Sequence, residues 1–207
     1  MGDYEFTNSW FDYVRPIWDH LIPPRAPTRI LEIGSYEGAS TCHLIDLLAK
    51  DRDIELHCID TWDGGVEHKD LKIDMDAVET RFKKNVDTSM AKWQNKVNLT
   101  LHKTTSDVAL PKLLSSGYRD YFDLVYVDGS HQAPDVLFDL VVGFHLLRKG
   151  GLMIMDDYIW VERWLANGVD LLRCPKPAID AFVNINIKRV NILPYHLWQL
   201  YVEKISD

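Results

Sequence analysis

The chain has 207 residues, 46% hydrophobic and 26% charged. That size suits one domain rather than two full α/β domains, and the composition excludes disorder as its main description. Asp and Glu number 31 against 23 Lys and Arg, a net charge of −8, so a broad phosphate-neutralising surface, and with it a nucleic-acid partner, is not expected.

The first segment, 1–27, places Trp10, Phe11, Val14, Ile17, Trp18 and Leu21 at helical spacing and stops at Pro23-Pro24, which predicts a core-packing helix. Arg29 to Ile33 reads as a buried strand broken by Gly34, and Leu44, Ile45, Leu47 and Leu48 share one side of the helix after it. Ile54 to Ile59 is a second strand closed by Asp60. Met75, Val78, Phe82 and Val86 recur at helical spacing. Val97 to Leu101 is a third strand, Ser106 to Leu114 a short helix and Phe122 to Val127 a fourth strand. Val136, Leu137, Leu140, Val141, Phe144 and Leu147 form a helical stripe that Gly150-Gly151 is expected to end, and Leu152 to Met155 is a fifth strand. Strands without polar alternation, each followed by a helix, predict a doubly wound, mostly parallel sheet covered on both faces. Arg189 to Leu193 and His196 to Val202 are β-rich and joined by Pro194-Tyr195, too short a link for a parallel crossover, so a C-terminal antiparallel hairpin is expected.

No apolar run reaches bilayer length, and Met1-Gly2-Asp3-Tyr4-Glu5 lacks the start of a signal peptide. Cys42, Cys58 and Cys174 form no Cys-x-x-Cys pair, so neither a zinc site nor a disulfide framework is indicated, and a cytoplasmic setting is the expectation.

Open α/β sheets bind ligands beyond the carboxyl ends of their strands. The first strand-to-helix turn runs Leu31-Glu32-Ile33-Gly34-Ser35-Tyr36-Glu37-Gly38-Ala39-Ser40. Tyr36 occupies the middle glycine of a dinucleotide fingerprint, which argues against a pyrophosphate there. Glu32 sits on the strand before the turn, and Asp60 closes the second strand, where a carboxylate can accept both ribose hydroxyls. This pattern resembles the class I methyltransferases that use S-adenosylmethionine, and the terminal hairpin matches that family's seventh-strand feature. The resemblance implies a seven-stranded Rossmann-like sheet in a single domain, 1–207. It sets the first-turn acid and glycines against the methionine part, the second-strand acid on the ribose, and Thr104-Thr105-Ser106-Asp107 beside the adenine. An N-cap at Ser106 is an equally plain reading of that last turn. The implied cofactor set is Glu32, Gly34, Ser35, Gly38, Ser40, Asp60, Thr61, Thr105, Ser106 and Asp128.

The fourth strand ends Val127-Asp128-Gly129-Ser130-His131 and the fifth Met155-Asp156-Asp157-Tyr158. In this fold those strands are neighbours, roughly 5 Å apart. Three carboxylates converging there repel one another unless something positive sits among them. Oxygen-only ligands suit a hard cation such as Mg²⁺. Capping of the Tyr158-Ile159-Trp160 segment by Asp157 explains one carboxylate and leaves two. Phe122 to His131, Leu146-Leu147-Arg148-Lys149-Gly150-Gly151 and Asp156-Asp157-Tyr158, with Glu32 to Thr41, are similar to a class I subfamily of small-molecule methyltransferases. That subfamily includes sugar O-methyltransferases of macrolide and aminocoumarin antibiotic pathways. The similarity spans roughly Arg29 to Tyr158 and implies metal ligands Asp128, Asp156 and Asp157. His131 lies at the offset where catechol-type enzymes carry a general base, with metal contact and plain hydrogen bonding as its other readings. Gln132-Ala133-Pro134 follows it where the subfamily often has a second acid.

The segment 62–95 matches nothing in the subfamily and is read as a lid insertion or as variable surface. Trp62, Tyr158, Trp160 and Trp164 are candidates to line an acceptor pocket. The function implied is transfer of a methyl group from S-adenosylmethionine to a hydroxyl of a sugar or other small molecule, with Mg²⁺. A metal-independent methyltransferase, a Rossmann-type oxidoreductase and a non-catalytic cofactor-binding subunit are the alternatives. No membrane partner is expected, and homo-oligomerisation is left open.

Overall fold

The computed structural model describes residues 4–93, 96–162 and 168–207. Its strands are β1 (Arg29–Ile33), β2 (Ile54–Asp60), β3 (Val97–Lys103), β4 (Phe122–Val127), β5 (Leu147–Met155), β6 (Val190–Leu193) and β7 (Leu200–Lys204). They form one seven-stranded mixed sheet in the order β3-β2-β1-β4-β5-β7-β6. The α-helices are α1 (Arg15–Leu21), α2 (Ala39–Leu48), α3 (Val66–Asp70), α4 (Met75–Lys92), α5 (Ser106–Ser115), α6 (Ala133–Leu146) and α7 (Lys176–Ile185). The chain divides into two compact units, 1–104 and 105–207. No described helix is long and apolar enough to cross a membrane.

In the first unit β1, β2 and β3 pair in parallel, with Ile33 opposite Ile59 and Cys58 opposite Leu101. Ile30 to Ile33 and Leu56 to Ile59 are buried without alternation, as strands covered on both faces require. The helix expected from Trp10 to Leu21 is divided into a 3-10 turn, Trp10–Tyr13, and α1. Pro16 explains the break. It has no N–H for a bond to residue 12, and its ring would clash with that carbonyl in a continuous helix. Ahead of the turn, Thr7 ties the chain to Glu37 through its N–H and its hydroxyl, both at 2.7 Å. Arg81 reaches the same carboxylate at 2.6 Å.

Most of the segment 62–95 is helix. Asp74 caps α4 by accepting from the Ala77 N–H at 3.1 Å. Val78, Phe82 and Val86 then join Cys42 and Trp62 in one buried cluster. Trp62, a pocket candidate from sequence, therefore packs in the core, its ring 4.7 Å from that of Phe82. Cutting Phe82 to alanine would cost about 3–5 kcal/mol, the usual range for a buried ring. Gly38 begins α2 with φ +83, and a Cβ there would lie 3.0 Å from the Phe82 ring, so backbone and packing both require glycine.

In the second unit β4 and β5 are parallel, while β7 pairs antiparallel with both β5 and β6. The Gly150-Gly151 pair does not stop α6, as the sequence suggested. The helix ends at Leu146, and β5 runs through both glycines. Phe122 pairs with Leu147 but Leu124 with Leu152, so β5 bulges there, and Gly150 takes φ +75 within the bulge. The terminal hairpin is present, but its connection is longer than Pro194-Tyr195. β7 begins only at Leu200, because Trp198 gives its carbonyl to the Tyr158 N–H at 3.1 Å instead of to a ladder.

Two helices went unread. The α7 signal was in the sequence: prolines at 175 and 177, then Ala178, Ile179, Phe182 and Val183 on one buried face. α3 has five residues and shows no apolar period.

Candidate active site

In the second unit, parallel pairing sets Val127 opposite Met155, so both strands end at one level. The Asp156 N–H donates to the Val127 carbonyl at 3.0 Å and carries the register one step further. Asp128 and the Asp156-Asp157 pair therefore emerge side by side, as the sequence predicted.

One group of candidate ligand atoms joins His131 to two of the three aspartates. Asp128, His131 and Asp157 bring one ligand atom each within 4.8 Å of one another. His131 Nε2 lies 2.7 Å from Asp157 Oδ2. Asp157 reaches it from a left-handed backbone, φ +56, which Asp tolerates better than most side chains. It does not cap the next segment with its carboxylate: the Trp160 N–H goes to the Asp157 backbone carbonyl at 3.0 Å. Trp160 packs on the imidazole, ring centroids 4.1 Å apart. Ser130 steadies the turn, taking the Gln132 N–H at 3.0 Å and donating to Asp135 at 2.8 Å.

Asp156 lines the same opening as this trio and is held by further hydrogen bonds. Its Oδ2 meets the Tyr126 hydroxyl and accepts from Gln199 Nε2 at 2.6 Å. Tyr126 also reaches Asp128 Oδ2 at 2.8 Å. Burial first, then the charge of Asp157, push the Asp156 carboxyl up to about 7. Burial likewise raises the Tyr126 phenol. The shallow opening here is lined by Asp128, His131, Asp156 and Asp157 together with Val136, Pro175 and Ile179.

Tyr126 and Gln199 escaped the sequence reading. Tyr126 stands two residues before Asp128 on one strand and so shares its face, a usable signal. Gln199 is placed by the hairpin connection, and its spacing carries none. Tyr158, an acceptor-pocket candidate, donates instead to Asp180 at 2.7 Å and meets Lys176 at 2.9 Å. Trp164 lies outside the described residues.

In the first unit the turn between β1 and α2 is built around two acids. Glu32 is 0% exposed. It accepts from the hydroxyls of Ser35 (2.7 Å), Ser40 (2.6 Å) and Thr41 (2.5 Å) and from the Cys58 thiol (3.3 Å). Burial raises its pKa and those bonds counteract the rise. A carboxylate so enclosed shapes the turn from within. Asp60 Oδ2 accepts from the N–H groups of Ser35 and Tyr36 at 2.8 and 3.0 Å, and Oδ1 from that of Trp62 at 2.7 Å. Each carboxylate oxygen has two lone pairs, so Oδ1 keeps acceptor capacity. Gly34 takes φ +85 in this turn. Thr61 accepts the Asp63 N–H at 3.1 Å.

In the second unit Thr105 precedes α5 without a side-chain cap, and Ser106 is the first helical residue. The Ser106 hydroxyl bonds the buried Asp139.

The fold is shared with solved methyltransferases of low identity. An O-methyltransferase from Bacillus cereus, in complex with SAH, superposes with a TM-score of 0.61 at 15% identity, covering 99% of this chain and 84% of that one. TomG from Streptomyces achromogenes, an O-methyltransferase of tomaymycin synthesis in complex with SAM, gives 0.62 at 16%, covering 99% and 83%. The SAH-bound methyltransferase PaMTH1 of Podospora anserina gives 0.55 at 21%, covering 97% and 80%. No curated protein matches the chain. The profile of a family described as a methyltransferase domain matches residues 31–158, well over half of the sequence, from Leu31 within β1 through the Asp156-Asp157 turn, and the chain belongs to that methyltransferase family.

Proposed function

We propose that the chain transfers the methyl group of S-adenosylmethionine to a hydroxyl of a small molecule, with a divalent cation at the acidic end of β4 and β5. The observation that carries this reading is the convergence of Asp128, His131 and Asp157. Two carboxylates and an imidazole form a donor set suited to a divalent ion, with positions left for water or substrate oxygen. Bound there, such an ion would lower the pKa of a hydroxyl and so ease its deprotonation. The cofactor reading rests on family membership and on the cofactors that the similar structures carry.

The chain's own residues take the remaining roles. In the first unit Asp60 offers its spare Oδ1 lone pair to the ribose, while Glu32 keeps the glycine turn in shape from inside. Thr105 and Ser106 stand at the α5 entrance assigned to the adenine. In the second unit Trp160 and Asp157 fix the imidazole of His131 within this donor set; with no ion bound, the same imidazole would be placed to take the acceptor proton instead. Methyl transfer is an in-line displacement with sulfur leaving, so positioning is most of what the protein supplies. A reducing, cytoplasmic setting fits three free, buried cysteines.

One observation favours a second reading. The 2.7 Å pair of Asp157 and His131 is also an acid-oriented base that could work without a metal. Methylation assays on catechol, sugar and simple phenol acceptors, with and without EDTA, separate the two. The cation reading predicts that EDTA abolishes turnover and Mg²⁺ or Mn²⁺ restores it, with S-adenosylhomocysteine affinity held in both conditions. Full turnover in EDTA, lost in His131→Ala, would establish the metal-free base instead.

A further inference from the structure

Asp139 is an acid on the packed face of α6, where Val136, Leu140 and Phe144 are buried with it. It is 1% exposed, and its Oδ1 has no hydrogen-bond partner among the described residues. Such a group burdens the fold, since an apolar side chain there would need no partner. From α5 the hydroxyl of Ser106, the first residue of that helix, reaches the carboxyl and favours its charged form. The charges that bear on Asp139 are both acidic, Asp135 on its own helix and Asp107 on α5. The strands under α6 present Val125 and Met153 to it, and the buried face of α7 is apolar. Asp123, on the Val125 side of β4, is held by Arg148 at 2.5 Å. Arg173, in the 3-10 turn beside α6, is held by Glu162 at 2.7 Å.

We propose that Asp139 is a positioning residue for recognition of the cofactor's base: by accepting the Ser106 hydroxyl, it turns the lone pairs of that oxygen to the amino group of adenine. This rests on the cofactor reading above, with Ser106 at the adenine end. A serine hydroxyl rotates and can either donate or accept. Adenine presents an amino donor at its 6-position, where a 6-oxo purine presents an acceptor. A carboxylate behind the hydroxyl takes its hydrogen and leaves only lone pairs in front. That arrangement suits the amino group and repels an oxo group. A protonated carboxyl can donate to the serine oxygen instead, and the hydroxyl hydrogen then turns outward. Burial pushes Asp139 up to about 7, so the exchange between the two arrangements falls near neutral pH. Binding of adenine favours the charged carboxylate, and affinity for an adenine ligand therefore rises with pH through that range. Affinity for the 6-oxo ligand does not rise with it.

The test is calorimetry on the full chain with S-adenosylhomocysteine and S-inosylhomocysteine, its 6-oxo analogue, between pH 5.5 and 8. Folding of each variant is checked by circular dichroism melts. Wild type should prefer the adenosyl ligand by about tenfold or more at pH 8, as sites built to hydrogen-bond a group do. The preference should shrink as the pH falls to 5.5 and the carboxyl takes up its proton. Asp139→Asn and Ser106→Ala should each cut the preference at pH 8 by about tenfold, the worth of one hydrogen bond, and leave the remainder independent of pH. A merely structural Asp139 would weaken both ligands alike, so an unchanged preference in folded Asp139→Asn would overturn the proposal. If that variant fails to fold, a preference kept in Ser106→Ala, or one independent of pH in wild type, overturns it as well. A wild-type protein that binds neither ligand at any pH would instead remove the cofactor reading itself, and this proposal with it.

Discussion

Asp139 lies on the buried side of α6, 1% exposed, and its Oδ1 meets no hydrogen-bond donor. Burial pushes its carboxyl up to about 7, and the charges of Asp135 and Asp107 add to the rise, while the Ser106 hydroxyl opposes it. In the unfolded chain the group titrates near 3.8. Between those values the folded state holds a proton that the unfolded state has released. This group therefore stabilises the fold fully below about pH 4, loses that contribution as pH rises towards about 7, and adds no slope above it. Three pKa units correspond to about 4 kcal/mol at most. Asp139→Asn makes the site permanently neutral. Any constant cost of the new amide cancels when the variant is compared with wild type across pH. Urea unfolding of both proteins from pH 4.5 to 8.5 should show the variant gaining on wild type by about 2–4 kcal/mol over that range, the gain flattening above neutrality. A difference independent of pH would refute the assignment, and a variant that loses ground as pH rises would reverse its sign.

Two further outcomes follow from buried polar groups. Asp60→Ala should weaken S-adenosylhomocysteine by about tenfold or more in calorimetry, as loss of a charged acceptor does. It should also lower the melting temperature, because three backbone N–H groups lose their acceptor; unchanged affinity in a folded variant would exclude the ribose role. Lys204 is a lysine held inside the second unit, donating to Asp120 at 2.6 Å and to the carbonyls of Leu147 at 2.8 Å and Phe144 at 3.2 Å. Lys204→Met leaves both carbonyls without that donor and should cost about 2–4 kcal/mol in chemical denaturation; a neutral result would mean that water replaces the ammonium at no cost.

The parallel strands were legible because burial on both faces leaves runs without polar alternation: Leu124 to Val127 is apolar throughout, and Ile30 to Ile33 is buried throughout with Glu32 as its one polar residue. Their boundaries were less so. Gly150-Gly151 carries the same turn signal whether it ends a helix or bends a strand, and only pairing with β4 decides for the bulge. The hairpin was visible as two β-rich runs, yet its true connection depends on Trp198 and Gln199 bonding across to the β5 end. α7 was readable from its prolines and apolar face, and the sequence reading passed over it.

The acidic site shows where spacing stops being informative. Adjacent strand ends bring Asp128 and Asp156-Asp157 together, and that much follows from the order of the elements. How two neighbouring aspartates divide their contacts at the opening depends on backbone angles that composition does not encode. After β5 the chain leaves the extended conformation at Asp157, which adopts φ +56, so the alternation of a strand no longer assigns the two side chains to faces. Asp156 accepts from Gln199, a residue 43 positions away. Asp157 is turned to His131, which the sequence reading held as base, metal contact or plain hydrogen-bond partner. The chemistry was therefore readable at the level of a cluster, carboxylates and one imidazole at a strand end, while the division of labour within it follows from a single left-handed residue.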